Sequence, residues 1–105
     1  NIRPAIYGSK YEVIAANRAL EHPDQVVTIA GKYCESGDIL IRDAELPSPR
    51  AGDVLALPAS GAYCLAMSSN YNASLKPAVV LVNGGQARLI RRRETFEDLM
   101  RCDLD

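Results

Sequence analysis

Residues 78–90 read Ala-Val-Val-Leu-Val-Asn-Gly-Gly-Gln-Ala-Arg-Leu-Ile, two apolar runs that flank a turn sequence. The aliphatic and β-branched residues on both sides suit β-strands. The Asn83-Gly84 pair tolerates the positive φ angles that tight hairpin turns require. This stretch therefore predicts an antiparallel β-hairpin with strands over 78–82 and 86–91.

Short apolar or alternating runs separated by turn residues occur through most of the chain. The turn residues recur about every 8–12 positions, which is typical of an all-β barrel or sandwich. Further strands are predicted over 11–16, 25–30, 38–42, 53–57 and 62–67. Residues 46–53 are predicted to form a surface loop, because Pro47 and Pro49 remove backbone donors and Gly52 permits a sharp reversal. The sequence thus predicts a mainly β fold, a Greek-key-like β-barrel or sandwich.

Near the end of the chain, the spacing of apolar residues changes from that of a strand to that of a helix. Thr95 precedes Asp98 by three residues, as in a capping box. Phe96, Leu99 and Met100 fall at i, i+3 and i+4, which places them on one face of a helix. We therefore expect one short helix to close the chain.

The composition is typical of one soluble globular domain. The chain has 105 residues, of which 48% are hydrophobic and 24% charged, and its formal net charge is −1. Such a balance provides no broad basic field for a nucleic-acid backbone or an anionic membrane. No apolar run approaches the ~18 residues of a membrane span. We expect neither nucleic acid nor a membrane as a partner.

The cysteines and the single histidine argue against a metal site. Cys34, Cys64 and Cys102 are odd in number and show no paired C-x-x-C spacing. This pattern favours reduced thiols, and hence a cytoplasmic protein. His22 lies in a turn sequence without ligand partners at metal spacing. We expect it to face solvent.

The most unusual local string is Gly31–Asp38, in which Cys34 and Glu35 stand side by side in a turn-rich segment between two predicted strands. A thiol in water is mostly protonated at neutral pH and can donate a proton, whereas a carboxylate can bind an ammonium group. A proton donor and a substrate anchor are therefore compatible with this string. The alternative is that Cys34 is a small buried apolar residue and Glu35 a solvated turn residue.

Two further clusters carry groups that bind anions. In Asn1–Tyr7, Pro4 suits the first position of a helical turn, on which Arg3 and Tyr7 share a face. A guanidinium and a phenol together can clamp a carboxylate, although an Arg stem packed on an aromatic ring explains the spacing equally well. In Ser60–Tyr63, the phenol of Tyr63 can reach a phosphate or merely end a strand.

Taken together, the ordered motifs resemble one family over essentially the whole chain, the C-terminal domain of the diaminopimelate decarboxylases, which are pyridoxal-phosphate enzymes of the alanine-racemase-like group. The motifs are Asn1–Tyr7, Cys34–Asp38, Gly61–Tyr63, Met67–Asn72 and Arg91–Thr95. The resemblance implies that residues 1–105 form the single C-terminal β domain of a larger decarboxylase. Its N-terminal (β/α)8 barrel, which is absent from this chain, would carry the Schiff-base lysine of pyridoxal 5′-phosphate. The enzyme would be a homodimer that converts meso-2,6-diaminopimelate to L-lysine and CO2, and the isolated domain would be inactive.

The resemblance also implies a role for each candidate residue. Cys34 would be the catalytic proton donor, and Glu35 would bind the distal ammonium of the substrate, both supplied across the dimer interface. Arg3 and Tyr7 would bind the distal carboxylate. Tyr63 would contact the cofactor or its substrate adduct. The chain departs from the family at Lys32, where a proline is usual, and lysine does not rigidify a loop as proline does.

Two other functions compete with this interpretation. One is that of an ornithine, arginine or carboxynorspermidine decarboxylase, which would differ in the substrate groups that Arg3 and Glu35 meet. Relatives that act on ornithine or arginine resemble this chain less, because they typically carry Asp where Glu35 stands. The chain can also be read as a non-catalytic β-barrel interaction module that binds a partner through the surface between Cys34 and Tyr63. The basic run Arg91–Arg93 is interpreted as a solvated or salt-bridged strand end. Cys64 and Cys102 are interpreted as a strand residue and an exposed tail thiol.

Overall fold

The computed structural model describes residues 8–104 and shows a mainly β chain with a few short helices. The strands are β1 (Ile14–Ala15), β2 (Gln25–Ala30), β3 (Ile39–Leu46), β4 (Leu55–Ala56), β5 (Val79–Asn83) and β6 (Gln86–Arg91). The α-helices are α1 (Gly61–Cys64) and α2 (Phe96–Met100), and two 3₁₀ turns span Ala16–Arg18 and Tyr71–Ala73. The strands pair as three two-stranded antiparallel sheets, β1–β4, β2–β3 and β5–β6, and they close no barrel within residues 8–104.

The chain divides between Met67 and Ser68 into two compact units. The first unit contains the longest sheet, in which β2 and β3 pair from Gln25 opposite Leu46 to Ala30 opposite Ile39. The register slips twice along this ladder, and Asp43 on β3 takes a φ of 55° beside the first slip. Residues 31–38 therefore form the connection at the tip of this hairpin.

The loop after β3 is held by side chains from the 3₁₀ turn that follows β1. Nη2 of Arg18 donates to the carbonyl oxygens of Pro47 at 3.2 Å and Ser48 at 3.0 Å, and it lies 3.4 Å from Oδ2 of Asp53. Leu46, at the start of the predicted surface loop, is only 3% exposed and still belongs to β3. Pro47 is also buried. The predicted surface loop is thus confirmed only from Ser48 onward.

The second unit is built on the hairpin that the sequence predicted. Asn83 pairs with Gln86, and the two turn residues are Gly84 and Gly85, with φ angles of 55° and 73°. Both angles lie in the left-handed region that glycine adopts without a steric penalty. Asn83, in contrast, ends β5 and does not enter the turn.

The predicted C-terminal helix is confirmed as α2. The Thr95 side chain accepts from the Asp98 N–H, and the Asp98 carboxylate accepts from the Thr95 N–H, so the capping box is complete. Within residues 8–104, no helix is long and apolar enough to cross a membrane.

The strand predicted over 62–67 is wrong. Gly61–Cys64 form α1, and the Met67 N–H donates to the Tyr63 carbonyl at 2.9 Å in the turn that follows. Ala, Leu and Met favour helices, and a short apolar run without alternation does not distinguish a strand from a helical turn. The strands predicted over 11–16 and 53–57 are real but shorter, as β1 and β4. The helical turn predicted around Pro4 lies outside the described residues.

Candidate functional site

The loop that carries Cys34 and Glu35 continues the β2–β3 ladder. The Gly31 N–H donates to the Asp38 carbonyl at 2.8 Å, one position beyond the last strand pair. The Asp38 N–H donates to the Glu35 carbonyl at 3.2 Å. Both ends of the loop are therefore fixed by the hairpin from which it extends.

The Asp38 side chain folds back over this loop. Its Oδ2 atom accepts from the backbone N–H of Tyr33 at 2.7 Å. The carboxylate occupies the space above Gly31, where any Cβ would overlap it. The Lys32 ammonium lies 5.9 Å from the centre of the Tyr33 ring, within cation–π range. The loop around Lys32, where the family usually has proline, is thus held by the hydrogen bond from Tyr33 to Asp38 and by the contact between Lys32 and the Tyr33 ring.

Of the two candidate residues on the loop, Cys34 is exposed and Glu35 is half-buried. The alternative in which Cys34 is a buried apolar residue is therefore wrong for this chain. An exposed thiol beside a half-buried carboxylate can present a proton and a negative charge to a ligand from outside the loop.

Tyr63 lies on α1, where its side chain is 66% exposed. The next residue, Cys64, is half-buried, and its Sγ atom lies 3.8 Å from the phenol oxygen of Tyr11. This hydrogen bond is the main reason why the pKa of Tyr11 is raised above its ordinary value, with desolvation as a smaller cause. Cys64 is thus a helical residue with a partner, which corrects its prediction as a strand residue.

One open cavity of about 800 Å³ lies in the first unit. Its walls come from residues 8–14, from Ser36 and Gly37 on the Cys34 loop, and from residues 39–45. Tyr11 is one of the lining residues. Among the residues that the structure describes, the lining of this cavity does not include Cys34, Glu35 or Tyr63. Two residues that follow Cys34 and Glu35 on the same loop, Ser36 and Gly37, thus form part of the cavity wall.

Two of the predicted site residues, Arg3 and Tyr7, lie outside the described residues. The sequence did not predict two residues that hold the candidate residues in place. Tyr11 contacts the residue next to Tyr63, and the Asp38 carboxylate bonds to the residue next to Cys34. Their contacts depend on the fold: the Tyr11–Cys64 pair is separated by 53 positions. The only sequence signal for Asp38 was its place at the end of the Cys34–Asp38 motif.

In the second unit, the last two motifs meet at Glu94. Its Oε2 atom accepts from Nδ2 of Asn70 at 2.7 Å and from the Lys76 N–H at 2.8 Å. The hydrogen bond from the Lys76 N–H, and then that from Asn70, lowers the pKa of Glu94 below its ordinary value. Nη2 of Arg91 lies 3.6 Å from Oε1 of Glu94. These motifs stabilise the fold through a shared carboxylate.

The remaining sequence expectations concern charge, thiols and metals. Arg92 forms an ion pair with Asp98, so the interpretation of the basic run as a salt-bridged strand end is confirmed. Cys102 and His22 are exposed, as expected. Over residues 8–104, no group of three or more His, Cys, Asp and Glu side chains is placed to hold a metal ion.

Comparison with known proteins identifies the class to which this fold and these motifs belong. Residues 1–61 match the family described as "Pyridoxal-dependent decarboxylase, C-terminal sheet domain". The chain belongs to this family. It is 54% identical over 104 residues to the diaminopimelate decarboxylase of Bacillus subtilis and 52% identical over 103 residues to that of Synechocystis sp.. These matches cover 99% and 98% of this chain, but the chain spans only 24% and 22% of the length of these relatives.

Solved structures agree with the sequence comparison. The diaminopimelate decarboxylase of M. jannaschii in complex with L-lysine matches 98% of this chain and 23% of its own, with a TM-score of 0.88 and 42% identity. The enzyme from Helicobacter pylori complexed with L-lysine matches 94% of this chain and 24% of its own, with a TM-score of 0.81 and 34% identity. The resemblance inferred from the ordered motifs is thereby confirmed.

Proposed function

We propose that residues 1–105 form the C-terminal domain of a diaminopimelate decarboxylase, which converts meso-2,6-diaminopimelate to L-lysine and CO2 in lysine biosynthesis. The observation that carries this proposal is the 54% identity, across 99% of this chain, to a protein of that name. The lysine complexes of two structural relatives agree with the proposed product.

The cofactor of this enzyme is pyridoxal 5′-phosphate, and we place its Schiff-base lysine on an N-terminal (β/α)8 barrel outside this chain. A phosphate-bearing cofactor needs accessible hydrogen-bond donors and room for close approach. Tyr63 is 66% exposed, and a Cβ built on Gly61 would meet nothing within 4 Å. These features suit a contact at one edge of the cofactor. When bound, the cofactor accepts the electron pair that departing CO2 leaves behind.

Cys34 supplies the proton in this proposal. Its exposed thiol delivers the proton to the α-carbon of the substrate after CO2 has left. Glu35, on the same loop, binds the ammonium group at the far end of the substrate. This loop lies at the tip of the β2–β3 hairpin. A loop at the tip of a hairpin can insert into a site on another surface, and we propose that this site is on the barrel of a second subunit.

Arg3 and Tyr7 bind the distal carboxylate in the same proposal. A guanidinium recognises a carboxylate through two parallel hydrogen bonds. A diamino acid without that carboxylate leaves Arg3 unpaired, and a site built to bond a missing group rejects such a substrate strongly. This argument favours diaminopimelate over ornithine or arginine.

Exposed apolar side chains support the proposed assembly with a barrel and a second subunit. On the β5–β6 hairpin, Val82 is 68% exposed and Leu89 is 59% exposed. Apolar surface of this kind marks interaction sites in soluble proteins. The Greek-key-like barrel or sandwich predicted for this domain remains part of the proposal, and the mainly β structure of the chain supports it. A cytoplasmic location stays a prediction that rests on the three thiols.

The test is CO2 release by the full-length protein, loaded with pyridoxal 5′-phosphate and offered meso-diaminopimelate, ornithine and arginine in parallel. We expect selective release from diaminopimelate. Release from ornithine or arginine would retain the reaction class and overturn the role of Arg3. Release from none of them would favour the interaction module.

Single substitutions then test the assigned proton donor. Cys34→Ala should abolish most turnover while the absorbance of the bound cofactor is retained. Cys102→Ala is the matched control, because Cys102 is an exposed thiol without an assigned role. Equal turnover by both variants would remove Cys34 from the reaction.

A further inference from the structure

Three atoms of one residue fix the loop around Cys34. Asp38 donates from its N–H to the Glu35 carbonyl, accepts at its own carbonyl from Gly31, and accepts at Oδ2 from the Tyr33 N–H. Tyr33 and Glu35 are the residues immediately before and after Cys34. The backbone on each side of the thiol is therefore tied to the same residue.

We propose that Asp38 is a positioning residue for Cys34. The Asp38 carboxylate, which lies above Gly31, holds the loop that bears the thiol in place. The proposal rests on the function assigned to Cys34 above. Asp38 directly precedes β3, so it transmits the order of the β2–β3 ladder to the loop. A hydrogen bond from a backbone N–H to an ionised carboxylate is shorter and stronger than one between neutral groups, which suits this task.

Gly31 makes this arrangement possible. In an antiparallel pair, the Cβ atoms of facing residues lie about 4.5–5.5 Å apart, and their side chains share one face. The Asp38 carboxylate crosses the space that a Cβ on Gly31 would fill, and this lets it reach Tyr33. A side chain at position 31 would displace the carboxylate without removing it.

The arrangement also explains how the loop tolerates Lys32. Proline would restrict the chain at that position through its ring. Here the same segment is restricted by the bond from Tyr33 to Asp38 and by the Lys32 ammonium over the Tyr33 ring. Preorganisation matters for a proton donor, because a displacement of about 1 Å can cost roughly 100-fold in rate.

The experiment uses the full-length protein loaded with pyridoxal 5′-phosphate and compares Asp38→Ala, Gly31→Ala and a control, Asp103→Ala. Asp103 is exposed, and its side chain makes no hydrogen bond or ion pair with the residues that the structure describes. Three quantities are measured: backbone hydrogen exchange in the peptide over 31–38, kcat and KM for meso-diaminopimelate, and the absorbance of the bound cofactor.

For Asp38→Ala and Gly31→Ala, we expect faster exchange over 31–38, a kcat lowered roughly 10- to 100-fold, and a much smaller change in KM and cofactor absorbance. The control should match the parent protein. Asp38→Asn keeps one carbonyl acceptor and should fall between Asp38→Ala and the parent, and it replaces Asp38→Ala if that variant fails to fold.

Three results would overturn the proposal. Unchanged exchange in both Asp38 variants would show that the carboxylate does not order the loop. Loss of kcat in Asp38→Ala, with parent-like kcat and exchange in folded Gly31→Ala, would assign Asp38 a direct chemical role. Faster exchange without any loss of kcat would separate loop order from the reaction. If the parent released CO2 from no substrate, the function itself would fail, and the exchange data alone would decide whether Asp38 orders the loop.

Discussion

The phenol oxygen of Tyr11 lies 3.8 Å from the Sγ atom of Cys64, a contact between residues 53 positions apart. It fastens α1, which is only four residues long, to the segment that precedes β1. A helix of one turn is unstable by itself, because its first hydrogen bond must fix several residues at once. The Tyr11–Cys64 contact therefore stabilises the helix that carries Tyr63.

The first prediction follows from this contact. Tyr11→Phe removes the hydroxyl and should loosen α1, so the Cys64 and Met67 amides, which donate to Ser60 and Tyr63, should exchange about 2- to 5-fold faster. Cys64→Ser keeps a hydrogen-bonding partner for Tyr11 and should change exchange less. Hydrogen exchange of the full-length protein measures both, and identical protection in Tyr11→Phe and the parent would contradict the assignment.

The elements that the sequence predicted correctly depend on local signals. The β5–β6 hairpin was predicted from the Asn83-Gly84 pair, although Gly84 and Gly85 form the turn itself, and α2 was predicted from the capping box between Thr95 and Asp98. Each signal lies within a few residues of the structure that it specifies. The extended Cys34 loop was likewise predicted, because turn residues separate two clear strand patterns.

The rest of the site depends on contacts between distant residues or on side-chain orientation. The apolar run over 62–67 has no alternation, so its pattern does not distinguish a strand from the helical turn that it forms, and its contact with Tyr11 joins residues far apart in the sequence. The motif Cys34–Asp38 was identified, but its spacing does not reveal that Asp38 turns back over Gly31. Tyr11 was therefore missed because its partner is 53 positions away, and the contacts of Asp38 were missed because spacing alone does not fix the orientation of a side chain.

A second prediction concerns pH and the capping box of α2. Hydrogen bonds from Arg92, and then from the Thr95 N–H, hold the pKa of Asp98 below its ordinary value of 3.8. A carboxylate with a depressed pKa stabilises the fold above its unfolded pKa, and this contribution is lost as the pH falls through its folded pKa. In an NMR titration, the Asp98 carboxyl should therefore titrate below 3.8.

Substitution of the arginine tests the cause of this shift. Nη1 of Arg92 bonds to Oδ2 of Asp98, and Nη2 bonds to Oδ1 at 2.7 Å. Arg92→Gln should move the Asp98 midpoint upward toward 3.8. Arg93→Gln is the control, since it removes the same charge from a neighbour whose side chain does not bond Asp98. Equal midpoints in the two variants would show that the ion pair is not the main cause.

A third prediction concerns Glu94, whose pKa is lowered from 4.5 first by the Lys76 N–H and then by Asn70. By the same sign rule, its contribution to stability is present above 4.5 and is lost as the pH falls through the lowered pKa. After correction for intrinsic exchange, protection of the Lys76 amide should fall across that range. Glu94→Gln should have weaker protection at neutral pH and no such pH step. A step of equal size in the variant would assign the titration to another group.

The last prediction concerns Arg18, whose side chain is 10% exposed and donates to the carbonyl oxygens of Pro47 and Ser48. Arg18→Ala leaves both carbonyls without this donor, and hydrogen bonds from a charged group contribute about 1.5–3 kcal/mol each. Because one nitrogen donates both bonds, we expect the low end of this range, a fall of about 3 kcal/mol in the free energy of local opening around Ser48 and Asp53, measured from exchange of their amides. Arg18→Lys keeps the charge but not the planar fork, and it should recover only part of this stability.

The control for this prediction is Arg50→Ala, which removes an exposed arginine from the same loop and should change the opening free energy by less than about 0.5 kcal/mol. If Arg18→Ala and Arg50→Ala were equally mild, the loop would be held by Asp24 and Asn17, which bond to Ser48 and Asp53, without a contribution from Arg18.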